Sequence, residues 1–153
     1  MRRAILALFS LPLLYAGGDT GERVRYKGGT VAGVSSGSAG RIVVVQDDGL
    51  EFNTSGRAGQ SVRIPWKDIT TVEYGMKVTR RYVEAVLISP VFLASKRKTH
   101  YLTIGYMDSR SRPQVMILEV AKDAIRPMLV SLEAKSGKKI EYQDEEARKA
   151  GRG

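Results

Sequence analysis

One side chain in this sequence carries the chemistry of a general base near neutral pH, and it is His100. Nucleophilic catalysis needs such a base beside a hydroxyl or thiol. The chain has no cysteine, so a Ser-His-Asp set would have to bring a serine to His100 from a distance. A hydrolytic metal built on one histidine would have to draw on carboxylates. The local acid clusters are Asp47-Asp48, in a turn, and Asp144-Glu145-Glu146, in a polar tail. Both positions suit solvated surface. The Gly/Ser-rich stretch 33–40 lacks the Gly-Lys-Ser/Thr ending of a phosphate-cradling loop. The residues therefore argue against an enzyme, with no catalytic residues, no cofactor and no metal.

What the spacing does offer is a contact surface. Residues 86–94 are apolar, broken by Ser89-Pro90, and clustered cations flank them. Lys77, Arg80 and Arg81 precede the run; Lys96, Arg97, Lys98 and His100 follow it. Between Lys77 and Lys98 six cations face the single acid Glu84, a local charge of +5 in a chain of +9. Cations attract phosphates, and an apolar wedge gains by leaving water, so this arrangement suits an anionic membrane surface. The candidate contact residues are Arg80, Arg81, Lys96, Arg97, Lys98 and His100 for charge, with Val91, Phe92 and Leu93 for the apolar contact. A core segment between two solvated loops fits the same residues. Tyr82, Tyr101 and Tyr106 lie among these cations, as in proteins that stack single-stranded bases. An export leader and the lack of an RNA reader's aromatic motif argue against nucleic acid.

The elements that must position these residues begin after a leader. Arg2 and Arg3, the eleven mostly apolar residues 4–14, and small residues at 16–18 read as a secretory signal peptide cut after Gly18. Eleven residues are too few to cross a bilayer core of about 30 Å as a helix. The expected location is exported, periplasmic or secreted, in a bacterium. Without cysteine, no disulfide supports the domain there. Loss of Arg2 and Arg3 leaves a charge of +7, which favours anionic partners.

Most of the remaining chain reads as short strands. Residues 41–46 are β-branched and end at Asp47-Asp48-Gly49, a hairpin turn into 50–54. Residues 22–34 hold a strand bent at Gly28-Gly29. Strands at 61–64 and 69–74 flank the turn Pro65-Trp66-Lys67-Asp68, and 100–106 pairs with 114–120 as a further hairpin. From Lys122 the period changes. Ile125, Met128, Leu129 and Leu132 form one helical stripe, with Asp123 as the expected N-cap and Gly137 as the C′ residue. Residues 138–142 suggest a last strand, and 143–153 a flexible polar tail.

This order resembles a pleckstrin-homology-like (PH-like) domain, and more closely bacterial PH-like proteins with an export leader. The resemblance runs over about 24–142. It rests on Tyr26-Lys27-Gly28-Gly29-Thr30, Gly40 before a strand, Ile64-Pro65-Trp66-Lys67-Asp68-Ile69, Glu73-Tyr74-Gly75, the stretch from Ser95 to Ile104, and Leu132 to Lys139. It implies a mainly β fold: an antiparallel split barrel of about seven strands, capped by one C-terminal helix, over residues 22–142. It also implies a binding or scaffold role, through an anionic surface, or through a protein partner added at an open sheet edge. A small-molecule barrel is a third option. The basic motif of lipid-binding members in the first hairpin loop is missing here, where 35–40 hold no cation and Arg41 follows.

Overall fold

A computed structural model describes residues 21–57, 59–77 and 98–152. The leader and the contact residues Arg80, Arg81, Val91, Phe92, Leu93, Lys96 and Arg97 lie outside the described residues. Within them the protein is mainly β. The strands are β1 (Glu22–Gly29), β2 (Ala39–Val45), β3 (Gly49–Thr54), β4 (Ser61–Pro65), β5 (Ile69–Gly75), β6 (His100–Met107), β7 (Pro113–Val120) and β8 (Ile140–Tyr142). Helix α1 spans Lys122–Ser136 and α2 spans Glu145–Arg152.

All eight strands belong to one sheet in the order β4-β3-β2-β1-β7-β6-β5-β8. The neighbours are antiparallel except β5 and β8, which run parallel. This order forces curvature. Flat, β4 and β5 would stand six strand spacings apart, about 29 Å. Yet the chain goes from Pro65 to Ile69 in four Cα steps, a reach of about 15 Å. The sheet must therefore curl until its β4 end approaches β5. The core agrees: Leu50 and Ile64 from one end share a cluster with Ile69 and Val72 from the other. The crossover is the 3-10 turn Trp66–Asp68, and Trp66 Nε1 anchors it by donating to Val45 O at 3.2 Å and Gln46 O at 3.3 Å.

Alternation along the strands fills the inside of the curl. Val24 and Tyr26 of β1, Ile42 of β2, and Leu50 and Phe52 of β3 point inward, while Arg23 and Arg25 point out. The bend expected at Gly28-Gly29 is a register shift between Tyr26 and Gly28, and Gly29 sits at φ 145°. A side chain there would strike Val115 O, so only glycine fits. In β6 and β7, Tyr101, Thr103, Val115 and Ile117 of the opposite face are buried as well, with Glu73 of β5 beside them. Burial on both faces explains why these strands read as nearly continuous apolar runs.

Helix α1 packs Ala124, Ile125, Met128, Leu129 and Leu132 into the same core. Its C-terminus follows the expected chemistry: Gly137 is left-handed at φ 67° and its N–H donates to Glu133 O at 3.1 Å. Its N-terminus differs. The N-cap is Ala121, which offers no side-chain bond, and Asp123 lies inside the first turn. The chain leaves β7 at Val120 and the helix follows at once, so it starts two residues too early for Asp123 to cap it.

The polar C-terminus is also different from the expected tail. β8 pairs along β5, with Val72 opposite Ile140, and Gln143 N–H donates to Tyr74 O at 3.0 Å. Asp144 then caps α2 through Ala147 N–H at 2.7 Å. Ala147 and Gly151 are buried, because small residues at this spacing let a largely charged helix lie close to the core.

Candidate functional site

Among the described residues, those singled out for chemistry each have a structural place, while Tyr82 lies outside them. His100 opens β6 and is buried, at 7% exposure, where the sequence argument put it on a contact surface. Its Nδ1 meets the Tyr74 hydroxyl at 2.5 Å, and the two rings stack at 5.9 Å. Asp48 lies 3.7 Å from Arg63, and Asp144 caps α2, so both acid clusters serve local structure. Tyr101 and Tyr106 are buried, which leaves neither ring open for base stacking.

Gly33-Val34-Ser35-Ser36-Gly37 spells Gly-x-Ser-x-Gly, with Ser35 at its centre. The nucleophile turn of that spelling joins a strand to a helix. Here it joins β1 to β2, and its central Ser35 is exposed on the connecting turn, where Ser35 O accepts from the Ser38 hydroxyl at 2.7 Å.

The described residues bring cations together in a way the sequence did not indicate. A cleft of about 660 Å³ opens between the starts of β6 and α1 and the exposed side of α2. Lys98, Lys122, Arg126 and Lys149 line it, with His100 between them. Three separate parts of the chain supply these residues, around 98–100, 122–126 and 149, so no local run of charge marks them. Lys98 Nζ pairs with Glu146 at 2.6 Å, which ties the return of the 77–98 segment to α2. Arg126 Nε donates to Ala150 O at 2.9 Å and fixes its guanidinium at the mouth. A second cleft of about 550 Å³ adjoins the first at Glu119 and Val120 and adds Arg23, Arg25 and Arg41. Glu119 itself is held by Lys27 at 2.8 Å. The result is a continuous basic face around the N-terminus of α1.

Burial, and then the charge of Lys122, hold the His100 imidazole below its ordinary value. The unfolded chain therefore takes up the proton first as pH falls, and folding opposes it. Stability is expected in full above about pH 6.5. It falls from there until the folded-state value is passed, then levels off. Urea midpoints at half-unit pH steps check this, with His100→Gln expected to flatten that window. Lys98, Lys122, Arg126, Lys149, Asp123 and Glu146 line the same clefts and set the depth of the effect. Glu51, lowered chiefly by its bond from Asn53, and Asp108, lowered chiefly by the Arg112 backbone, act in the lower carboxylate range. A decline in His100→Gln equal to that of the wild-type chain above pH 5 would assign the loss to other groups.

Among the described residues no helix is long and apolar enough to cross a membrane. No family model, curated protein or solved structure matches the chain.

Proposed function

We propose that this protein is an exported, non-enzymatic binding module of PH-like architecture that meets an anionic membrane surface. The observation that carries the reading is the basic face, on which Arg23, Arg25, Lys98, Lys122, Arg126 and Lys149 adjoin across two clefts. The 77–98 connection, with its apolar Val91, Phe92 and Leu93, starts and ends at the same region, since Gly75 pairs with Tyr101. Charge on the face would collect anionic headgroups, and the apolar residues would anchor the contact. The strand order β4-β3-β2-β1-β7-β6-β5, the curl it requires, and a helix directly after β7 support the PH-like reading. β8 and α2 are additions to the seven strands and one helix of that pattern.

The second reading, a protein partner added at an open edge, loses the edge beside α1 because β8 pairs along β5. At the other end β4 remains, a strand of five residues ending in proline.

Co-sedimentation of the full chain with vesicles of phosphatidylglycerol and phosphatidylcholine tests the membrane reading, with pure phosphatidylcholine measuring the leader's own contribution. Each exposed cation is worth roughly 1 kcal/mol near such a surface. Arg23→Glu combined with Lys98→Glu is therefore expected to weaken binding to anionic vesicles at least about tenfold. Phe92→Asp is expected to weaken it further. Equal binding to both lipids, unchanged in these variants, would reject the membrane reading.

A further inference from the structure

We propose that the cleft between β6, α1 and α2 is a discrete site for one phosphate group, gripped by His100, Lys122, Arg126 and Lys149 beside the uncapped start of α1. It deepens the binding-module reading and rests on it in that the same basic face is used.

Four observations converge on the site. First, His100 is more than nine-tenths buried yet lines both cavities at this position. The Tyr74 hydroxyl meets His100 Nδ1 and has no other acceptor among the described residues, so we assign it as the donor of that bond. The ring proton then sits on Nε2, a donor with no partner among the described residues. Neutral imidazole in this tautomer offers an anion an N–H without a charge to desolvate. Second, Ala121 gives α1 no side-chain cap, and the first intrahelical bonds run from Ala124 and Ile125 to Ala121 O. Among the described residues nothing bonds the amides of Lys122 and Asp123, which leaves them to an anion at the positive end of a 15-residue helix.

Third, the charge balance at the site is positive. Glu146 is engaged by Lys98 and Glu119 by Lys27, so among the described residues Asp123 is the acid that opposes Lys122, Arg126 and Lys149. Three cations suit a phosphate dianion better than a single carboxylate. Fourth, the cleft, about 660 Å³ and open to solvent, has room for more than a bare ion. The ligand class is therefore a phosphate carried on an organic group, either a soluble phosphate monoester or a phospholipid headgroup.

The single histidine makes the test clean. The full chain, labelled at His100, is titrated by NMR at fixed pH and ionic strength with inorganic phosphate, with glycerol 3-phosphate, and with sodium chloride as control. The free protein should show the Nε2–H tautomer. Both phosphates should shift the His100 signals with saturation in the roughly millimolar range or tighter, and chloride should not. Arg126→Gln, at an exposed position, should weaken phosphate about tenfold, and Asp123→Asn should tighten it several-fold. A second arm uses vesicles: competition by glycerol 3-phosphate for anionic vesicles would assign the site to a lipid headgroup. Phosphate binding without competition would assign it to a soluble ester and would stand even if vesicle binding failed. An Nδ1–H tautomer, absence of saturable shifts, or identical titrations in Arg126→Gln and Asp123→Asn would each overturn the proposal.

Discussion

Phe52→Ala is expected to remove about 3–5 kcal/mol of folding stability. Domains of this size have a total of about 5–15 kcal/mol. Phe52 is fully buried on β3, and its ring lies 6.2 Å from Tyr26 at 28° between planes. Across the pair, Gly40 of β2 leaves the space the ring fills, since a Cβ there would stand 2.6 Å from Phe52 Cε2. Alanine would leave a void under three strands of the curled end, which the backbone can close only by losing the β2–β3 register. A melting temperature lower by about 10 °C or more is the expected readout. Val130→Ala serves as control, because Val130 is 66% exposed and its loss should cost less than about 0.5 kcal/mol. Similar shifts in the two variants would contradict the placement of β3 over this core.

Gly151→Val is expected to lift α2 off the sheet. A Cβ at 151 would lie 2.6 Å from Tyr142, 3.1 Å from Leu129 and 3.2 Å from Tyr74, so the contact is closed on three sides. Overpacking of this kind costs about 1–3 kcal/mol. Here the short helix can escape by undocking, which limits the global loss but exposes 145–152. Hydrogen exchange should then speed up at Ala147 through Arg152 while β6 and β7 stay protected. Undocking also removes Ala150 O from Arg126 and takes Lys149 and Glu146 out of the cleft. Phosphate binding should therefore weaken together with α2 protection. Unchanged exchange at 147–152 would mean that these residues are loose already, as their composition alone suggests.

The elements of the sheet were legible because their signals are local. The run at 41–46 has the β-branched residues of a strand, Asp47-Asp48-Gly49 closes the hairpin, and the stripe Ile125, Met128, Leu129, Leu132 marks the one long helix. Gly137 and the bend at Gly28-Gly29 were likewise visible, since each meets a backbone need that few other residues satisfy. The tail was not legible. Its charge matches that of a solvated peptide, and the two small residues that dock α2 carry no apolar stripe.

By itself the sequence determined a mainly β chain, the order of its first seven strands and the helix that follows, and the concentration of charge around 77–98. These follow from side-chain period and turn chemistry, which act over a few residues. Tertiary structure alone decided that β7 lies beside β1, that β8 seals β5, and that His100 is buried against Tyr74. It alone gathered Lys98, Lys122, Arg126 and Lys149 at one cleft. The physical reason is that a cleft is made by long-range pairing. Its cations are spread over more than fifty residues of sequence, and their charge adds up only where the curl of the sheet and the docking of α2 bring them within reach of one another.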